Sequence, residues 1–220
     1  MFDQSLADVS FLVGMLVDKF MYHLPLYRQH QRLLQAGITL SRATLTNLSK
    51  RSIELLRPIV EAQLRSVLQS KTLAMDETPI KASRSGQGKM KTGWFWPVYG
   101  DKDEIVFTYA GTRARSHIEK LLAAHFSGTL LTDGYVAYAR YTQAREDVVH
   151  AQCWVHSRRH FVAAEDVEPG LVGVALQYIR ELYANETYIK KKQLQGDEKQ
   201  AWRLKHSKPV VDAFFDWCEQ

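Results

Sequence analysis

The chain has 220 residues, 45% of them hydrophobic and 24% charged, which is enough for one sizeable core and too apolar for wholesale disorder. No apolar run approaches the ~20 residues a membrane helix needs, and Asp3, Asp8 and Asp18 within the apolar start argue against a secretory signal. A net charge of +5 suits a nucleic-acid partner without demanding one, and two cysteines, Cys153 and Cys218, point to a reducing compartment, hence the cytoplasm.

The first seventy residues read as helical. Leu6, Val9, Leu12, Val13, Leu16 and Phe20 recur at helical spacing. Pro25 can open a second helix that Gly37 closes, and Ser41 can cap a third that Pro58 should break. This segment, residues 1–70, is expected to be a helical arm. Its helix, glycine turn and Ser-capped basic helix also resemble a helix-turn-helix, in which Arg42, Lys50 and Arg51 would contact phosphates.

From Lys71 the texture changes. "KTLAMD", "TGWFWPVYG" and "EIVFTYA" read as three strands of a meander, with the Gly/Ser/Lys loop "SRSGQGKMK" after the first. The Thr-Pro after Glu77 reads as a stop to regular structure. "RSHIEKLLAAHF" follows as a helix, "GTLLTDGY" as a fourth strand, "YVAYARYTQA" as a helix, "DVVHAQCWV" as a fifth strand and "HSRRHFVAAE" as a helix start. Residues 169–220 look helical to the end. Three sequential antiparallel strands followed by alternating helix and strand imply an α/β protein with a mixed five-stranded sheet, in the order of the ribonuclease H-like fold. Residues 71–168 would be that core.

In such a sheet the first and fourth strands are neighbours, so Asp76 and Asp133 end side by side. Each alone could be an Asx turn. Together they make a hard-oxygen pair suited to Mg²⁺ or Mn²⁺ and to phosphoryl transfer. Basic side chains flank the same edge: Lys89 and Lys91 at a hairpin tip, Arg113 and Arg115 before a helix, Arg158 and Arg159 after the fifth strand. They would form a phosphate track. His150, Cys153, His156 and His160 have spacings that could ligate zinc, but strand alternation sends His150 and Cys153 to opposite faces.

"LYRQHQRLLQAGITLSRATL", "DETPIK", "KTGWFW", "LLTDGYVAY" and "CWVHSRRHF" occur in that order. Together they resemble transposases of the insertion sequence 66 family, bacterial enzymes with a DDE-type catalytic domain. The resemblance implies metal-dependent cleavage at insertion-sequence ends and transfer of the freed strands to target DNA. It also implies two metal ions, double-stranded DNA as partner, a multimer on that DNA and no membrane association. Asp76 and Asp133 match the first two acids of the triad, as catalytic residues and metal ligands. Trp154, His156, Arg158 and Arg159 match a family stretch expected near the DNA or bracing the site. Glu77 matches the neighbour of the first acid, without an evident role.

The family's third acid, a Glu in an Asn-rich stretch, has no counterpart before Gln220, and a Cys-containing DNA-binding segment expected ahead of Ser5 is missing. The expectation is a chain truncated at both ends and inactive alone. Two alternatives stand beside it: a non-catalytic DNA-binding or inhibitory fragment, and another ribonuclease H-like nuclease whose third acid is Glu165, Asp166 or Glu181.

Overall fold

A computed structural model describes residues 7–82, 90–122 and 126–220, and the chain divides into two compact units, Met1–Gln69 and Ser70–Gln220.

The first unit holds helices α1 (Val9–Phe20), α2 (Leu26–Gln35), α3 (Arg42–Leu55) and α4 (Arg57–Val67). Local chemistry places their ends. Asp8 accepts the Phe11 N–H at 2.9 Å to start α1. Gly37, at φ +78°, turns the chain after α2 while the Ile38 N–H returns to the Leu33 carbonyl at 2.9 Å. Ser41 accepts the Thr44 N–H at 3.0 Å to cap α3. Pro58 falls in the first turn of α4, where its missing N–H would have had no partner in any case. Leu12 and Met15 of α1 pack with Leu45 and Leu48 of α3 to form this unit's core. Arg42, Lys50 and Arg51 are exposed on α3.

The second unit is a mixed α/β structure around a six-stranded sheet. Its strands are β1 (Thr72–Met75), β2 (Thr78–Ala82), β3 (Lys91–Tyr99), β4 (Ile105–Ala110), β5 (Gly128–Thr132) and β6 (Val148–Gln152). The sixth strand, beyond the five expected, is β2. Thr78-Pro79 does not end regular structure, because among the described residues β2 pairs with β3 alone and an edge strand tolerates a proline. Ala74 and Met75 pair antiparallel with Tyr99 and Val98, and Thr78 and Pro79 pair with Phe95 and Trp94. Those pairs share one unbroken register, so β1 and β2 are two parts of one strand, interrupted at Asp76 and Glu77. The same register sets Asp76 opposite Pro97, which brings no N–H to the ladder.

On its other side β3 pairs antiparallel with β4, while β1 pairs parallel with β5 and β5 parallel with β6. The resulting order, β4-β3-β1-β5-β6, is the one expected of the ribonuclease H-like arrangement. The parallel connections run through α5 (Arg115–Leu122) and α6 (Val136–Thr142). Gly128 opens β5 at φ +136°, and a Cβ there would meet the Lys71 carbonyl oxygen at 2.3 Å, so only glycine allows β5 to close on β1.

Leu73, Trp96, Val98, Leu130, Ile118, Leu122, Phe126 and Tyr138 are fully buried in this unit. Trp96 meets the Tyr138 ring edge-on at 6.3 Å, a contact that adds about 0.5–1.5 kcal/mol beyond area burial. The chain finishes in α7 (Trp154–Ala163), α8 (Pro169–Lys192), α9 (Gly196–Trp202), a π-helical turn (Arg203–Ser207) and α10 (Lys208–Cys218). Trp154, Phe161 and Tyr178 surround Phe214 at 5.2, 6.1 and 5.9 Å and hold α7, α8 and α10 together. Among the described residues, no helix is long and apolar enough to cross a membrane.

Candidate functional site

Thr72, Leu73 and Ala74 pair with Thr129, Leu130 and Leu131 on the parallel neighbour β5. The same register carried past the last pair sets Asp76 level with Asp133, both just beyond the carboxyl ends of their strands. It continues onto β6, where Thr132 pairs with Gln152 and the Cys153 N–H bonds the Thr132 carbonyl at 2.9 Å. Asp76, Asp133 and Cys153 therefore stand in one row across three strand ends.

Both aspartates reach solvent, with side-chain exposures of 48% for Asp76 and 22% for Asp133. One oxygen of each is tied to the backbone. Asp76 Oδ1 accepts the Glu77 N–H at 2.8 Å, and Asp133 Oδ1 accepts the Tyr135 N–H at 2.9 Å. The second oxygens face side-chain nitrogens: Asp76 Oδ2 lies 3.7 Å from His156 Nε2, and Asp133 Oδ2 lies 3.8 Å from Arg113 Nη2. The turn chemistry and the strand-end pairing thus coexist. An open pocket of about 180 Å³ adjoins the row, lined by Asp76, Pro97, Tyr99, Leu131, Cys153 and His156 among others.

Glu77 points the other way. Strand alternation turns it inward, and its carboxylate is wholly buried. Arg113 donates to it through Nε and pairs with it through Nη2, and the Tyr138 hydroxyl donates to Oε2 at 2.7 Å. Burial and the Glu77 carboxylate hold the Tyr138 hydroxyl well above its ordinary pKa. The Arg113 guanidinium lies 3.8 Å from the Tyr135 ring centre and 5.2 Å from that of Trp94. Tyr135 closes the circuit by donating its hydroxyl to the Arg113 carbonyl at 2.8 Å.

Arg113 thus pairs with the site's carboxylates while its side chain stays 37% exposed. Arg115 bonds Glu119 one turn on, at 2.8 Å. Lys91 is exposed at the start of β3, and Lys89 lies outside the described residues. Trp154 turns toward Phe214 and Phe215 of α10, whereas Arg158 and Arg159 are exposed on α7. His150 meets Thr132 Oγ1 at 2.9 Å, and burial lowers its pKa against the opposing pull of Asp133. Glu165, Asp166 and Glu181 are all exposed, the first two just after α7 and the third on α8. Among the described residues, no three His, Cys, Asp or Glu side chains are grouped to hold a metal ion.

Sequence reading left Glu77 without a role and did not find Trp94, Tyr135 or Tyr138. One signal was available. An acid directly after a strand-end acid falls on the buried face by alternation, and a buried carboxylate calls for a cation and a hydroxyl nearby.

Two curated relatives come from Sinorhizobium fredii (strain NBRC 101917 / NGR234). The uncharacterized protein y4jD is 31% identical over 173 residues, 73% of this chain and 34% of that protein. The uncharacterized protein y4hP is 29% identical over 234 residues, 94% of this chain and 41% of that protein. The chain thus spans between about a third and two fifths of the length of these relatives. The profile of the Transposase IS66 family matches residues 4–220, and with that match across nearly its whole length the chain belongs to the IS66 family of transposases.

Proposed function

We propose that residues 71–168, with the helices of 169–220, form the central part of a DDE-type catalytic domain, and that residues 1–70 are a DNA-binding arm. The observation that carries this reading is the level pairing of Asp76 and Asp133 at the ends of two parallel strands. Family membership supports DNA as the substrate. The reaction is cleavage at insertion-sequence ends followed by strand transfer, carried out in the bacterial cytoplasm by a multimer on DNA.

The donor set fits a hard divalent cation: two partly exposed carboxylates, each with one oxygen held by a backbone N–H and the other 3.7 or 3.8 Å from a side-chain nitrogen, beyond ordinary hydrogen-bond reach. Asp76 and Asp133 would hold Mg²⁺ or Mn²⁺, two ions in the complete enzyme, which stabilise charge on the attacking and leaving oxygens of a phosphodiester. Arg158 and Arg159 on α7, and Lys91 on β3, would take the DNA backbone. Among the described residues no third acid joins the pair, so these two carboxylates by themselves would hold a metal ion weakly.

Mn²⁺ titration followed by electron paramagnetic resonance tests the pair directly. Asp76→Asn and Asp133→Asn should each weaken binding by at least about 100-fold, the upper end of losses seen for outer-shell partners. Unchanged binding in both would overturn the assignment. In a cleavage assay on DNA bearing the element's ends, robust turnover lost in Glu165→Ala, Asp166→Ala or Glu181→Ala would instead place the third acid inside the chain. Salt-dependent DNA binding together with Mn²⁺ binding that neither Asp76→Asn nor Asp133→Asn changes would favour a non-catalytic, inhibitory role.

A further inference from the structure

We infer that Glu77 and Arg113 form the positioning device of the Asp76/Asp133 pair, with Arg113 bridging a buried anchor to the second aspartate. The inference rests on the metal-binding reading above. Glu77 is covalently next to Asp76, so whatever fixes Glu77 fixes the strand break that carries Asp76. Its buried carboxylate is fixed by two hydrogen-bond donors, Arg113 Nε and the Tyr138 hydroxyl, and by an ion pair with Arg113 Nη2. The same Nη2 lies 3.8 Å from Asp133 Oδ2. One guanidinium thus faces both the carboxylate beside the first aspartate and the second aspartate itself.

The guanidinium is in turn held in place. Tyr135 lies under it at 3.8 Å and donates its hydroxyl to the Arg113 carbonyl, while the Tyr135 N–H holds Asp133 Oδ1. An unbroken chain of contacts runs from Asp76 through Glu77, Arg113 and Tyr135 to Asp133. It joins the break in the first strand, the segment before α5 and the turn after β5, three pieces that no continuous ladder connects at this level.

These contacts also balance charge. Glu77 and Arg113 cancel, which leaves the two aspartates as the net negative charge at the strand ends. Were Glu77 neutral, the guanidinium would turn its full charge on Asp133 and compete with a cation there. Lysine in place of Arg113 would keep the charge but lose the planar fork that serves both carboxylates and stacks on Tyr135. Outer-shell residues of this kind hold metal ligands in place, and their loss typically lowers metal affinity about 10–100-fold.

The test is Mn²⁺ binding to the full chain without DNA, read by electron paramagnetic resonance, with circular dichroism confirming that each variant is folded. Arg113→Lys and Glu77→Gln should each weaken binding about tenfold or more. Tyr135→Phe, which removes one hydroxyl and leaves the ring and the backbone N–H, should weaken it by a smaller factor and keeps the test open if the other two fail to fold. If Arg113 served only as a phosphate contact, Arg113→Lys would leave Mn²⁺ binding unchanged and alter DNA affinity alone, which would overturn the inference. If Asp76→Asn and Asp133→Asn leave Mn²⁺ binding unchanged, the metal reading itself fails. If those two weaken binding while Arg113→Lys, Glu77→Gln and Tyr135→Phe all leave it unchanged, only the positioning role falls.

Discussion

The Tyr138 hydroxyl donates to the buried Glu77 carboxylate at 2.7 Å, joining residues 61 positions apart. Phenylalanine at this position would fill the same space and leave Glu77 short of a donor. A buried acceptor stripped of one partner costs about 1–3 kcal/mol. Tyr138→Phe should therefore lower the urea unfolding free energy by that amount, while Tyr141→Phe, at a phenol Glu77 does not touch, serves as the control. Equal losses in the two would show that the Glu77 bond contributes nothing particular.

The same contact sets an alkaline dependence. Burial and the neighbouring Glu77 raise the Tyr138 pKa above its ordinary 10.0. A folded pKa above the unfolded one gives stability that is complete below about pH 10 and is lost as pH rises toward the folded value. Wild-type protein should lose stability above pH 10, and Tyr138→Phe should flatten that decline. Urea denaturation at stepped alkaline pH measures both slopes.

Acid should act through His117. Burial, reinforced by Lys120, lowers its pKa from 6.5, and its ring packs on Trp96 at 4.9 Å. A lowered folded pKa gives stability that is present above pH 6.5 and lost as pH falls through the folded value. Unfolding free energy should drop on acidification below pH 6.5, and less so in His117→Gln. An identical acid slope in the variant would rule His117 out as the cause.

Gly128 lies hard against the backbone of Lys71. Its φ of +136° is one that other residues rarely adopt, and a Cβ would sit 2.3 Å from the Lys71 carbonyl oxygen. Backbone strain of this kind alone costs about 1–3 kcal/mol. Gly128→Ala should cost more than that, because the Thr129 N–H bond to the same carbonyl, 2.9 Å long, must also give way. Gly134→Ala, where no atom lies within 4 Å of a built Cβ, should be close to neutral. Thermal unfolding compares the two.

The exposed arginines of α7 make a separate claim on DNA. If Arg158 and Arg159 contact phosphates, Arg158→Gln and Arg159→Gln should each weaken binding across unrelated sequences and lower the slope of log K against log salt by about 1. Fluorescence anisotropy at several salt concentrations would show this. An unchanged slope in both variants would remove α7 from the interface.

Much of the architecture was legible in local pattern. The helical spacing from Val9 to Phe20, the caps at Ser41 and Gly37 and the break at Pro58 involve neighbours only a few residues apart. The alternation in β1 and β3 likewise needs only short windows. The strand β2 was not legible, because Thr78-Pro79 reads as a stop unless one knows that the strand lies on an edge, and an edge is a property of the assembled sheet.

The sequence by itself determined that two acids follow an apolar strand at Asp76 and Glu77 and that a third ends another strand at Asp133, since apolar alternation and strand order are local facts. Only the tertiary structure decided which acid is exposed and which is buried. Asp76 faces solvent level with Asp133, whereas Glu77 turns inward to partners 36 and 61 residues away. The physical reason is that burial of a carboxylate is tolerated only where a cation and a hydroxyl converge on it, and that convergence depends on packing between distant segments.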